Sequence, residues 1–391
     1  MMRETQHNSM RRRRFIMATG LATTVGLAGC LGDDDDSGNG NGNGNGVAGN
    51  AADVAPAREP IDSSGVSWDD LGDLEGELTI YSGRTRDQID PLFEMIEDEY
   101  PDFDVTINQA DNDDQVSQLQ LEGQNSPADV FYSQDPGALS VIKDEGLSQE
   151  LPQDFADAIP TSFRDSDTEW VGASGRTRAV LYNPELLSEE GIDPETLPTD
   201  IMEYAYDERF AGIISTRPNS GTFRGFISAM IELEGEEATR EWIGAMVAEQ
   251  DIRLYSGGGD QAREVANGNQ AIALGNQYYA GRILTETPDA PIDVHFTEND
   301  AGVLFSVAGL TVLDSADDVE LAVEFLRHMF TTEVQEFLIE VNGEYPVIEG
   351  IDYVGELPPL EEINPPEFDL GGFDMELQEV RDLLEDEGMV V

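Results

Sequence analysis

The chain has 391 residues, 81 of them acidic and 21 basic, for a formal net charge of -60 at pH 7. That balance excludes nucleic acid as a partner, because phosphate binding needs clustered Lys and Arg to release counterions. A lone cysteine, Cys30, excludes an intrachain disulfide and a thiolate metal cluster, and His7, His295 and His328, the only histidines, cannot supply a His-rich zinc site.

The acids are spread through the chain, and Lys143 is the only lysine. This looks like adaptation of the haloarchaeal type to very high salt, where repulsion between carboxylates is screened within about 3 Å at 1 M. Most Asp and Glu are then expected on solvent-facing surface. With 39% hydrophobic residues the chain can bury a core, and its length points to two lobes.

Arg11 to Arg14 and Phe15 precede an apolar run that ends at Leu27-Ala28-Gly29-Cys30. A basic segment, a short apolar segment and small residues form an export signal over 1–29, and Ile16 to Gly29 is too short to span a bilayer. The paired arginines resemble a twin-arginine signal. The last four residues resemble a lipobox, which would lipidate Cys30 and anchor the protein to the outer face of the cell membrane. The acidic run Asp33–Asp36 and the Gly-Asn repeat from Gly38 to Gly46 cannot bury apolar area, so a disordered tether is expected over 30–75.

The folded region reads as alternating strands and helices. Leu78–Tyr81 is a strand leading into Ser82-Gly83-Arg84-Thr85, and Ile89, Leu92, Phe93 and Ile96 recur at helical spacing. Phe103, Val105 and Ile107 alternate as a second strand, Val116 and Leu119 mark a short helix, and Ala128–Tyr132 is a third strand. Its exit, Ser133 to Gly137, places Gln134 and Asp135 just before a helix carrying Leu139 and Ile142.

The apolar strand Arg176–Tyr182 carries the chain into a second lobe. There Gly212–Ser215 is a strand followed by Asn219-Ser220-Gly221-Thr222, and the next helix has Phe223, Phe226, Ile227, Met230 and Ile231 as its stripe. Asn219 or Ser220 suits an N-cap, and free N–H groups at a helix start suit an anion. Ser256 to Asp260 repeats this arrangement, with Asp260 as expected N-cap. Ala271–Leu274 is a short buried strand that delivers Asn276, Tyr278 and Tyr279 to a loop. Gly302–Leu313 then returns to the first lobe, where the helix with Val319, Ala322, Val323, Leu326 and Phe330 packs.

The expected fold is therefore α/β and two-lobed, with two crossings at a hinge and a ligand cleft between the lobes. Lobe 1 is assigned 76–175 plus about 309–350, and lobe 2 takes 176–308 plus about 351–391. Two adjacent phenols at a strand end are strong ligands only for a highly charged hard cation, since their ordinary pKa is about 10. Otherwise Tyr278 and Tyr279 are a half-buried aromatic pair. His295 lies in an alternating strand and His328 on an amphipathic helix, so neither reads as the base of a catalytic triad.

Taken together, Leu78 to Gly83, Ser126 to Tyr132, Ser174-Gly175-Arg176, Ser220-Gly221-Thr222-Phe223, Asn276 to Tyr279 and Glu344-Tyr345-Pro346 resemble the ferric-iron-binding solute receptors of ABC importers. The resemblance covers essentially Gly76 to the C-terminus. It implies the type II periplasmic-binding-protein fold, related to the transferrin lobe, and a monomer that hands Fe(III) to a permease driven by a separate ATPase.

It further implies that Tyr278 and Tyr279 are iron ligands. Ser220, Gly221, Thr222 and Asn276 would hold a synergistic anion, phosphate or carbonate, and Arg176 would contact carbonate. The chain departs from the family where Thr85 replaces a His ligand, Gln134 a Glu ligand and Gly258 an anion-binding Asn, and a third tyrosine near Ser220 is absent. Asp135 is an alternative carboxylate donor. A receptor for a phosphonate or sugar acid in the same fold is the rival reading, and an extracellular hydrolase is a second, for which no positioned nucleophile and base are found.

Overall fold

Short apolar runs closed by polar or glycine-bearing turns become strands, and the periodic segments between them become helices. The computed structural model describes residues 49–58, 61, 65–348, 350–353, 355–366 and 377–391. The export signal, Cys30, His7 and the first part of the expected tether lie outside the described residues.

The first lobe is built from β1 (Gly76–Ser82), α1 (Arg86–Glu99), β2 (Phe103–Gln109), α2 (Asn112–Glu122), β3 (Val130–Ser133), α3 (Pro136–Asp144) and the short α4 (Gln153–Ala156). The long strand β4 (Val171–Tyr182) follows, then α5 (Pro184–Glu189), β5 (Ile214–Thr216), α6 (Gly221–Glu234), α7 (Glu236–Ala248), β6 (Arg253–Leu254) and α8 (Gly258–Ala266). After β7 (Ile272–Asn276), α9 (Gln277–Glu286) and β8 (Asp293–His295) come β9 (Phe305–Val312), α10 (Val319–His328), α11 (Thr332–Glu340) and α12 (Leu377–Asp386).

The strands form one path in the order β2-β1-β3-β9-β4-β7-β5-β6, with β8 added on β4. β1 runs parallel to β2 and β3, whereas β9 is antiparallel to β3 and β4. Strand β4 belongs to both lobes: Val171 to Thr177 pair with β9, and Arg178 to Tyr182 pair with β7. All twelve of its residues are buried, which is what an apolar strand covered on both faces requires.

Two principal cores flank this shared strand. One gathers Leu78, Ile80, Phe131, Leu139, Val307, Leu310, Leu326 and their neighbours, and the other gathers Leu187, Phe210, Phe223, Phe226, Trp242, Ile272 and theirs. Buried apolar area of this kind contributes about 25 cal/mol per Å², so each lobe has its own driving force and the narrow connection between them is free to serve as a hinge.

Three boundaries differ from the expectation. The stretch expected as the end of the tether packs on the first core, with Ala51, Ile61, Leu71 and Leu74 buried there. Gln149 Oε1 accepts from the Ala51 N–H at 2.9 Å, Arg327 Nη2 donates to the Val54 carbonyl at 2.8 Å, and the Trp68 ring meets Tyr100 edge-on. These apolar residues stand singly among Asp, Gly and Pro, without a helical or strand period. Only the surface of the first lobe supplies their burial. Val303, Phe305, Val307 and Ala308, assigned to lobe 2, pack in the first core, because β9 pairs with β3. Ile351 and Ile363 also lie there, whereas Val380, Leu383 and Leu384 of α12 join the second core, so the C-terminal segment serves both.

Candidate functional site

Strand β7 is short and fully buried, and the chain turns at once into α9 with Asn276 as N-cap. Tyr278 and Tyr279 therefore sit in the first turn of a helix, not on a loop. Gln277 fixes that turn: the Thr177 N–H of β4 donates to its Oε1 at 3.0 Å, and its Nε2 donates to the Gly343 carbonyl at 3.2 Å. The two tyrosine rings lie 4.1 Å apart between centroids. Tyr278 is buried and Tyr279 is partly open to the cleft.

Burial holds the Tyr278 phenol well above its ordinary pKa; the neighbouring Tyr279 adds to this, and the Arg176 guanidinium opposes it. Without a cation the phenol is thus protonated at neutral pH. A cation that displaces the proton would create a phenolate already facing Arg176.

Both tyrosines line a cavity of about 460 Å³ between the lobes. Thr85, Gln134 and Asp135 border it from the first lobe; Ser220, Gly221, Thr222 and Gly258 border it from the second. Its walls carry Arg217, Arg224, Arg263, Arg282 and Arg381 against Asp87, Asp111, Asp113, Asp135, Asp260 and Glu286. Near-parity here contrasts with 81 acidic to 21 basic residues in the whole chain, so basic side chains are concentrated around this cleft.

Ser220 is the N-cap of α6: its Oγ accepts from the Phe223 N–H at 3.1 Å. The first N–H groups of a helix have no partner within it, which makes them donors for an anion. Asn276 Nδ2 donates to Thr222 Oγ1 at 3.2 Å, and that oxygen lies 3.3 Å from Ser220 Oγ. The four residues expected at an anion site thus form one polar corner.

Asp135 faces this corner from α3, which it caps by accepting from the Ala138 N–H at 3.1 Å, while Asn112 Nδ2 donates to its other oxygen at 2.5 Å. Arg176 is fully buried, donates from Nη2 to the Gln134 carbonyl, and has no hydrogen-bond partner for Nε or Nη1 among the described residues. Thr85 caps α1 with Gln88, and its side chain is exposed at the cleft rim.

The triple-glycine turn holds one difference from the expectation. Gly257, not Asp260, is the N-cap of α8, and Asp260 lies in its first turn, paired with Arg263 at 2.6 Å. Among the described residues no three His, Cys, Asp or Glu side chains converge on a common point, which leaves the phenols as the distinctive donors of the cleft. His295 Nε2 lies 2.9 Å from the Pro198 carbonyl, and His328 bridges the Glu324 carbonyl and Tyr100 Oη. Neither histidine lines the cleft.

Several residues around the site were not singled out from the sequence. Arg84 is fully buried and forms a two-pronged ion pair with Glu344 at 2.8 and 3.0 Å, completed by Ser174. This network stands behind Tyr278 and Tyr132. Its members are up to 260 positions apart, and the only local hint is that Arg84 and Glu344 each fall inside a motif. Arg178 had a better signal, since it alternates with Arg176 along β4 and so points to the same face. Across the cleft mouth Asp113 accepts from Arg224 at 3.1 Å and also from Arg381, and Asp87 accepts from Arg282 at 2.8 Å.

Residues 83–336 match the profile of the bacterial extracellular solute-binding proteins. The chain belongs to that family. Among sequence relatives of this solute-binding protein, iron uptake protein A1 of Synechocystis is 28% identical, over 78% of this chain and 86% of the relative. The major ferric iron-binding protein of Neisseria meningitidis is 26% identical, over 74% and 87%. Iron-bound HitA from Pseudomonas aeruginosa superimposes with a TM-score of 0.72 at 28% identity, covering 80% of this chain and 99% of that one. The two-lobed periplasmic-binding-protein fold of this solute-binding protein is thereby shown.

Proposed function

We propose that this protein is the ferric-iron receptor of an ABC importer, capturing Fe(III) with a synergistic anion and presenting it to a permease coupled to its ATPase. One observation carries the reading: two adjacent phenols at the start of α9 share an interlobe cavity with the capped N-terminus of α6. A trivalent hard cation favours deprotonated oxygen donors. Two phenolates leave one positive charge on the metal, and an anion seated at Ser220, Gly221, Thr222 and Asn276 balances it. Carbonate or phosphate fits that corner, with Arg176 as its further partner. The iron-binding relatives and the superposition on iron-bound HitA support the same reading.

With Thr85 and Gln134 where the family resemblance places His and Glu ligands, the anion carries more of the coordination here. The protein acts by binding and release and not by catalysis. In the same reading Cys30 carries a lipid after removal of residues 1–29, following twin-arginine export, and holds the receptor as a monomer on the outer face of the membrane of a salt-adapted cell.

Titration with ferric nitrilotriacetate tests the site. The parent should develop a visible phenolate-to-iron band, and its affinity should climb as pH rises, because Tyr278, held protonated by burial, must lose its proton to bind the metal. Tyr278→Phe and Tyr279→Phe should each weaken binding and shift or bleach the band, with the fold retained because only an oxygen is removed. A double Phe variant that binds as tightly as the parent, or a parent that stays colourless at saturating iron, overturns the assignment in favour of an organic-anion receptor.

A further inference from the structure

The polar corner at the α6 N-terminus is faced from the first lobe by a carboxylate. A Cβ built on Gly221 would lie 3.4 Å from Asp135 Oδ2. Asp135 borders the interlobe cavity and also a second cavity of about 400 Å³, which it shares with Gly221, Thr222, Asn276 and Arg176. Burial lowers the pKa of the Arg176 and Arg224 guanidiniums, and Asp135 is among the groups that oppose this in both. Its field therefore reaches across the corner.

The carboxylate is held in place on its own lobe. Oδ1 accepts from the Ala138 N–H at 3.1 Å, which ties it to the start of α3, and Asn112 Nδ2 donates to Oδ2 at 2.5 Å. Asn112 is fixed in turn, because its Oδ1 accepts from the Gln134 N–H at 3.1 Å. A carboxylate oxygen has two acceptor sites. Oδ2 thus keeps one for an occupant of the corner.

The two sides of the corner differ in hydrogen-bonding character. The second lobe offers the first N–H groups of α6 and the Thr222 hydroxyl, whose oxygen accepts from Asn276 Nδ2 and whose hydrogen is left as a donor. Arg176, 1% exposed, adds Nε and Nη1, which have no partner among the described residues. The first lobe offers Asp135, and an ionised carboxylate can only accept.

An oxyanion without a hydrogen satisfies the donors but turns lone pairs and like charge toward Asp135. Such a juxtaposition is strongly unfavourable. An oxyanion that carries an O–H group meets both sides at once, donating to Asp135 in a short charge-assisted bond while its other oxygens accept.

Resting on the ferric-iron reading, which seats a synergistic anion here, we propose that Asp135 is the specificity-determining residue of the corner. It admits oxyanions with an O–H group, such as hydrogenphosphate or hydrogencarbonate, and turns away sulfate and chloride. The net charge of -60 calls for molar salt. In molar chloride a corner built of donors alone would fill with chloride.

The test is calorimetric titration of the iron-free parent in molar KCl at pH 7 with phosphate and, separately, with sulfate. The two are tetrahedral and nearly equal in size, but at that pH phosphate keeps at least one hydrogen and sulfate has none. The parent should bind phosphate about tenfold or more tighter. Asp135→Asn keeps an oxygen for the Ala138 N–H, remains a good N-cap for α3 and turns a donor toward the corner. It should bind sulfate tighter than the parent does and bring the ratio of the two affinities near one. A ratio near one in the parent overturns the role of Asp135. So does an Asp135→Asn protein with the parent's ratio, or a parent that takes up neither anion. These titrations contain no iron, so they separate from the first reading. A parent with the phosphate preference but no visible band at saturating iron sinks the iron assignment alone. A normal band with equal affinity for phosphate and sulfate sinks the role of Asp135 alone.

Discussion

At Gly258 the lack of a side chain decides where a phenol sits. A Cβ built there would lie 2.5 Å from Tyr279 Oη and 2.6 Å from its ring Cζ, closer than real Cβ contacts allow. The position at which the family resemblance places an anion-binding Asn is thus part of the seat for Tyr279 in this chain. Gly258→Ala should push the ring out of line with Tyr278, weaken Fe(III) binding about tenfold or more and shift the visible band. The fold should survive, because Gly258 is the first residue of α8 and its backbone is not in the left-handed region. Affinity and band position equal to the parent's, measured by the same iron titration, would show that the ring adapts without loss.

At the scale of elements, α9 is aimed by one amide side chain. Gln277 satisfies the Thr177 N–H of the shared strand and the Gly343 carbonyl of the loop before Tyr345, and all of these groups are buried. Gly343 itself has φ +70°, and a Cβ there would meet the Tyr278 carbonyl at 2.8 Å, so loop and helix are in close contact. Gln277→Leu leaves a buried donor and a buried acceptor unpaired, at a cost of about 1–3 kcal/mol each. Denaturant unfolding in high salt should show a loss of about 2 kcal/mol or more, and a stability within about 0.5 kcal/mol of the parent would mean that water replaces the amide.

For the whole molecule, charge sets the conditions under which the two lobes hold together. A net charge of -60 repels itself over a screening length of about 30 Å at 0.01 M salt but only about 3 Å at 1 M. Circular dichroism during dialysis from molar to millimolar salt should show loss of the native spectrum, and a spectrum unchanged at millimolar salt would show that the carboxylates are neutralised in another way. The ion pairs across the cleft, Asp87 with Arg282 and Asp113 with Arg224 and Arg381, do not offset that repulsion. Such partly exposed pairs are worth about 0–1 kcal/mol and weaken with salt.

What the sequence determined by itself was local. The apolar runs and their periods placed β1, β3, β7 and the helices after them. Ser220 before the α6 stripe marked an N-cap, and the adjacency of Tyr278 and Tyr279 needs no fold to be seen. The length of the chain and the order of those elements, with two crossings between them, were enough to expect two lobes with a cleft.

Tertiary structure alone decided the partners of the charges. Arg84 meets Glu344, 260 positions away, and among so many acids no spacing rule selects that one. It also decided which buried arginine meets a carboxylate among the described residues: Arg84 does, whereas Arg176 donates to the Gln134 carbonyl and Arg178 lies over the Phe223 and Phe226 rings. Ala51, Ile61, Leu71 and Leu74 read as tether because burial of isolated apolar residues is a property of the surface they land on. The lobe boundaries shifted for the same reason: a strand joins the lobe that pairs with it, and β9 found β3.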